Sequence, residues 1–201
     1  KNGNTATVTR ISLDGCDLVI KRYNIKGLGH ALSRCLRPSR AMTSWCNAHR
    51  LRFWGIATPQ PLAIVEERWG PLRKRAYLVM DYLPGKTFAQ EILDHLNNPK
   101  IIDTCVTKLT ELLEQLAAAQ ISHGDLKATN FLFTGGQLYL LDLDSMRRYN
   151  HAATFNRAFR HDLARLKRNW GDQPQLLSRL VSRISRLAQP QSLFKIDRSR
   201  K

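Results

Sequence analysis

The stretch from Ile121 to Asp144 holds side chains of reactive type at spacings that packing does not require. Asp125, Lys127 and Asn130 stand at i, i+2 and i+5, just behind the pair His123-Gly124. Asp142 follows twelve residues after Asn130, at the end of the apolar run Leu138-Tyr139-Leu140-Leu141. A carboxylate leaving a buried strand is costly unless a cation or a hydrogen-bond network receives it. Phosphoryl transfer from a nucleotide uses parts of this kind. A lysine neutralises phosphates, an aspartate orients the accepting hydroxyl, and an asparagine and a second aspartate hold Mg2+.

The elements that must position these residues can be read from the pattern on either side. Thr5 to Arg10 and Asp17 to Tyr23 are expected as strands joined by an Asp14-Gly15 turn, the second running from Leu18-Val19-Ile20 into Lys21. Before them, Gly3, Asn4 and Thr5 form a small-residue turn able to turn backbone amides toward a phosphate. Ser39 is placed to cap a helix through Phe53, with Met42, Trp45 and His49 on one stripe and Gly55 beyond its end. Leu62–Val65 and Ala76–Met80 make a hairpin around Trp69-Gly70-Pro71, and residues 81–85 read as a linker. Ile102, Val106, Leu109, Leu113 and Leu116 recur at helical steps up to about Ala119. After the reactive stretch come two helices, one carrying Phe155, Phe159, Leu163, Leu166 and Trp170, the other Leu177 to Leu187. The layout is a β-rich half over residues 1–83 and a mainly helical half over 84–201.

Composition narrows the class. The chain has 201 residues and a net charge of +16, and no acidic residue falls between Asp17 and Glu66. Such asymmetry points to an anionic partner: nucleic acid, a membrane surface or a phosphorylated substrate. No RNA- or DNA-reading motif accompanies the charge, so no nucleic acid is expected. Cys16, Cys35, Cys46 and Cys105 have no CxxC or metal-ligand spacing and read as free, mostly buried thiols of a reducing compartment. No apolar run is long enough to span a bilayer. The opening on Lys1 rather than methionine suggests a trimmed chain with a truncated first strand.

The whole order resembles the protein-kinase-like fold, an α+β architecture of two lobes: small-residue turn, strand ending in lysine, helix, hairpin, linker, long helix, His-Gly-Asp-x-Lys-x-x-Asn, and an aspartate after a strand. Within that fold the chain is most similar to the bacterial lipopolysaccharide core kinases, the Kdo and heptose kinase group related to Rio kinases. The likeness lies in Val19–Asn24, Gly55–Ala63 and His123–Leu132, and it covers roughly residues 3–170. It implies that Asp125 is the catalytic base and Lys127 the lysine that meets the transferred phosphoryl group. It further implies that Lys21 pairs the nucleotide phosphates, that Asn130 and Asp142 hold Mg2+, and that Gly3, Asn4, Thr5 and Val8 belong to the phosphate-covering loop. Met80, Asp81 and Tyr82 would line the adenine pocket beside the linker. ATP and Mg2+ are the implied cofactors. The implied acceptor is a lipopolysaccharide core or lipid A precursor, met in the cytoplasm at the anionic surface of the inner membrane.

Departures from regulated protein kinases are informative. Gly124 stands where those enzymes carry an arginine, Asp142-Leu143-Asp144 replaces Asp-Phe-Gly, and no Ala-Pro-Glu follows. Residues 39–53 contain no acid to pair with Lys21, so either another acid such as Glu66 or Glu67 approaches it, or the pairing is dispensed with, or the site is degenerate. His123 and Asp162 are read as supports of the catalytic loop, and Asp144 as either a further metal ligand or a turn residue. Arg34, Arg37 and Arg40 could clamp an anionic sugar-lipid, though each is more readily a solvated side chain than a ligand contact. The alternatives are another small-molecule kinase of the aminoglycoside-phosphotransferase type, and a pseudokinase that binds an anionic partner without catalysis.

Overall fold

A computed structural model describes residues 6–24, 38–70, 72–170, 178 and 181–183. The chain divides into two units. One is formed by residues up to Pro84 together with Asp142–Ser145; the other comprises Gly85–Leu141 and the chain from Met146 onward. With its β-rich N-terminal part and helical C-terminal part, the fold is the kinase-like α+β architecture expected from the sequence.

The first unit is built on an antiparallel sheet of order β1-β2-β4-β3, with β1 Ala6–Leu13, β2 Cys16–Tyr23, β3 Pro61–Trp69 and β4 Leu72–Asp81. Asp14 and Gly15 both take positive φ (50° and 79°), as a two-residue turn matching the strand twist requires. Register sets the faces. Lys21 lies opposite Val8 and Leu78, Tyr23 opposite Ala76, and Val19 opposite Met80, so these side chains share one side of the sheet. Helix α1 (Arg40–Phe53) covers that side, capped by Ser39, whose hydroxyl accepts from Met42 N at 2.9 Å. Tyr23, Ala41, Ala76 and Leu78 form the core there, flanked by Trp45, Ile64 and Met80.

The buried face of α1 is Ala41, Ser44, Asn47, Ala48 and Leu51, not the expected stripe of Met42, Trp45 and His49. Small side chains let the helix backbone come close to the sheet. The bulkier Trp45 is displaced to the margin, edge-on to His49 with centroids 4.6 Å apart.

The second unit starts with β5 (Lys86–Thr87) and α2 (Phe88–Asp94), whose capping box joins Thr87 and Gln90. A Cβ on Gly85 would overlap the Phe133 carbonyl, so the chain can enter β5 there only without a side chain. Helix α3 (Pro99–Ala118) begins at the Asn98 cap and buries Ile102, Val106, Leu109, Leu113 and Leu116 as its periodicity predicts. Each full burial of this kind stabilises by about 1.5–3 kcal/mol. Next come β6 (Ile121–Ser122), a 3-10 turn at Ala128–Asn130, and the hairpin β7 (Phe131–Thr134) and β8 (Gln137–Leu140). Short β9 (Arg147–Arg148) pairs with β6, and α4 (Ala152–Arg168) follows. Phe88 packs edge-on to Phe131 and to Trp170, which is buried just past the end of α4.

Among the described cysteines only Cys105 is buried, and burial pushes its thiol up to about 11; Cys16 and Cys46 are exposed, contrary to expectation. No helix among the described residues is long and apolar enough to cross a membrane. Cys35, Arg34, Arg37 and most of the expected last helix lie outside the described residues.

Candidate active site

In the second unit the loop after β6 is pinned from α4. Asp162 is 3 % exposed, and its carboxylate accepts from Ser122 Oγ at 2.8 Å, His123 N at 2.6 Å and Gly124 N at 3.0 Å. One buried charge thus fixes three consecutive residues, and each of its bonds is charge-assisted. Gly124 has φ 80°, a backbone state that a side chain would strain. His123 is fully buried. Its Nε2–H donates to Leu141 O at 2.8 Å and its Nδ1 accepts from Asp125 N at 3.3 Å, which settles the tautomer by the partners on each side. Ala128 N donates to Asn169 Oδ1 at 2.7 Å, tying down the far end of the loop.

This frame presents Asp125. Lys127 Nζ meets its Oδ2 at 2.6 Å, and Arg165 Nη1 meets its Oδ1 at 2.5 Å. Burial pushes the Asp125 carboxyl upward, but the bonds and charges of Lys127 and Arg165 outweigh it and hold the group below its ordinary value. Asp125 is therefore an ionised carboxylate at neutral pH. Asn130 Nδ2 donates to the Asp125 carbonyl at 2.8 Å, so the amide oxygen is the end left to face a cation.

In the first unit Lys21 rises from the covered face of the sheet and pairs with Asp142 Oδ1. Burial lowers the Lys21 pKa, whereas Tyr23 and the Asp142 carboxylate raise it, with a net upward result. The lysine stays charged. Asp142 itself has φ 57°, a left-handed state that aspartate tolerates and that often marks functional positions. Asp144 is held by Arg40 of α1 through Nε at 2.8 Å and through Nη2, and Asn47 Nδ2 donates to Leu143 O at 2.9 Å. The 142–145 segment is thereby fastened to α1. Tyr23 Oη and Ser44 Oγ lie 2.9 Å apart, so the helix turn that could have offered Lys21 an acid offers a hydroxyl to the tyrosine instead.

Similarity to known proteins identifies the family. The sequence profile of the Lipopolysaccharide kinase (Kdo/WaaP) family matches residues 2–185. The chain belongs to that family. Membership places it among the kinases of lipopolysaccharide biosynthesis. A 3-deoxy-D-manno-octulosonic acid kinase of Pasteurella multocida (strain Pm70) is 24 % identical over 178 residues, covering 80 % of this chain and 73 % of that one. A solved structure of WaaP in complex with acyl carrier protein is similar in fold. It has a TM-score of 0.61 and 18 % identity, and the likeness covers 94 % of this chain and 88 % of that one.

Within this kinase-family chain, the predicted residues fall into two sets. Asp125, Lys127 and Asn130 come together on one loop. Lys21 and Asp142 come together in the other unit. The acid that meets Lys21 is Asp142, not Glu66 or Glu67. Glu66 pairs with Arg68, and Glu67 accepts from Tyr77 Oη at 2.7 Å. Asp144 takes a third role, beyond the two expected of it, as the partner of Arg40.

Val8 shares the face of Lys21 and is 63 % exposed. Met80 packs at the core margin, Asp81 N donates to Gln60 O at 3.0 Å, and Tyr82 N donates to Asp17 O at 3.1 Å under the Arg10 guanidinium, 3.8 Å from its ring centroid. Gly3, Asn4 and Thr5 lie outside the described residues. Sequence reasoning missed Arg165 and Asn169. Their spacing from Asp162, i+3 and i+7 on one helix face, was the available signal.

Mg2+ takes oxygen ligands, one or two from protein and the remainder from water and phosphates. The Asn130 amide oxygen and the Asp142 carboxylate are each of that ligand type.

Proposed function

We propose that this chain transfers the γ-phosphoryl group of ATP to a sugar hydroxyl of the lipopolysaccharide inner core, on a heptose or a 3-deoxy-D-manno-octulosonic acid (Kdo) residue. The observation that supports this reading most is Asp125, an ionised carboxylate on a loop immobilised by Asp162 and flanked by two cations. A pinned carboxylate can accept the proton of a sugar hydroxyl as its oxygen attacks phosphorus. Lys127, two residues away, can follow the charge onto the phosphoryl oxygens. Lys21, held upright by Asp142, is suited to the phosphates of the nucleotide. Asn130 and Asp142 would hold Mg2+, which when bound neutralises charge on the phosphates.

In this proposal residues 1–83 form the nucleotide-covering lobe. Gly3, Asn4, Thr5 and Val8 are assigned to the phosphates of the nucleotide, and Met80, Asp81 and Tyr82 to its adenine. Residues 84–201 carry the catalytic loop and meet the acceptor. The acceptor is a core or lipid A precursor at the cytoplasmic face of the inner membrane, whose anionic surface suits a chain of net charge +16. The named substrate of the Pasteurella relative, itself an acidic sugar, supports a core sugar over other small molecules.

The test is mass spectrometry of core oligosaccharide from a strain lacking the protein. One phosphate should disappear, return with the intact gene, and fail to return with Asp125→Ala. An unchanged phosphate count would refute the assignment of acceptor.

A further inference from the structure

Both oxygens of Asp125 are held by cations, and the two cations are not equivalent. Lys127 lies on the loop itself and, in the reading above, turns to the transferred phosphate. Arg165 comes from α4 and has no such task. Its helix is fixed to the loop on either side, by Asp162 one turn before and by Asn169 one turn after. The guanidinium therefore stands at a set place beside the acid. Its contact with Asp125 is made through Nη1, and 42 % of the side chain is exposed, so the guanidinium keeps N–H donors that Asp125 does not use.

A cation on a general base weakens that base. Holding Asp125 in place would be served as well by a neutral donor, without that loss. With Asp125, Lys127 and Arg165 charged, the trio carries one surplus positive charge before any substrate arrives. An exposed guanidinium fork is complementary to a second oxyanion that accepts two parallel N–H bonds.

We propose that Arg165 bridges Asp125 and an anionic group of the acceptor, a carboxylate or a phosphate next to the accepting hydroxyl, and so selects which hydroxyl faces the base. The inference rests on the phosphotransferase reading above. In the reaction itself the acceptor O–H gives its proton to Asp125, the acceptor oxygen bonds the γ-phosphorus, and the bond from that phosphorus to the β–γ bridging oxygen breaks. Arg165 exchanges no proton and forms no covalent bond. It is a specificity-determining residue, and it makes an acidic acceptor part of the site's electrostatics.

The experiment compares phosphate transfer from ATP to three forms of one core acceptor: the free sugar carboxylate, its neutral carboxamide, and the carboxamide with a phosphate monoester on the adjacent position. Wild type is expected to favour an anionic form over the neutral one by about tenfold to a hundredfold in kcat/KM, mostly through KM. Whether the carboxylate or the phosphate gives the gain identifies the group that Arg165 meets. In Arg165→Gln the preference should collapse to within about threefold, and Arg165→Lys, which keeps the charge without the fork, should restore part of it. The ratio between acceptors is independent of how much of a variant is folded. Equal losses on anionic and neutral forms would mean that Arg165 only positions Asp125, and would overturn the inference. Equal use of all three forms by wild type would overturn it as well, while leaving the kinase reading intact. Transfer to none of them would overturn both.

Discussion

Replacing Asp162 with alanine removes one carboxylate and strands three donors. The Ser122 hydroxyl can rotate to another acceptor, but the amides of His123 and Gly124 cannot move without moving the loop. The His123 amide is buried and, left unpaired, costs about 1–3 kcal/mol, whereas Gly124 is exposed and its amide can turn to water. Relief of the carboxylate's own desolvation offsets part of this, leaving a loss of about 1.4 kcal/mol. Asp162→Asn keeps one acceptor oxygen and should lose about half as much. The loss is local, so native-state hydrogen exchange is the suitable assay. The His123 amide should lose about one order of magnitude of protection, converted from about 1.4 kcal/mol, whereas amides in β1–β4 should be unchanged. Transfer should fall by about a hundredfold, since the loop no longer presents Asp125 in one place. Alanine at this position with exchange at His123 unaltered would refute the claim that one buried carboxylate organises the loop that carries Asp125.

The Asp125 pKa is depressed in the folded chain, so Asp125 stabilises the fold above the ordinary carboxylate value of about 3.9, and that contribution is lost as pH falls through the lower folded value. The acid limb of kcat/KM set by Asp125 should accordingly lie below about pH 3.9 and move upward in Lys127→Met, as read from a pH–rate profile corrected for unfolding. Arg40→Ala should cost about 3 kcal/mol in urea denaturation because it strands the nearly buried Asp144, and adding Asp144→Ala should recover part of that loss. Gly85→Ala should cost about 2 kcal/mol in the same assay, since its Cβ meets a backbone carbonyl that cannot turn aside.

Much of the candidate site was legible because it is local. Asp125, Lys127 and Asn130 fall on one short loop, and their types alone demand partners. Helix α3 was legible because its core residues recur at helical steps, and the Asp14-Gly15 turn because those residues tolerate positive φ. What escaped was set by tertiary contact. The partner of Lys21 lies 121 residues away in the chain, and nothing near Asp142 in sequence points to it. The buried face of α1 was misjudged because hydrophobicity favours Trp45, whereas close packing on the sheet favours Ala41, Ser44 and Ala48. Arg165 looked like one more cation on a basic helix. Only its spacing from Asp162 sets it apart, and that spacing gains meaning once Asp162 is known to face the loop.

The most direct test of the central claim is transfer of labelled phosphate from ATP to dephosphorylated core oligosaccharide by the purified chain. Label should appear on a core sugar with the wild type. With Asp125→Ala it should be lost, although nucleotide binding, followed by the thermal shift with Mg·ATP, should persist. Undiminished transfer by Asp125→Ala would contradict the assignment of the base, and with it the reading of the loop as a phosphotransferase site.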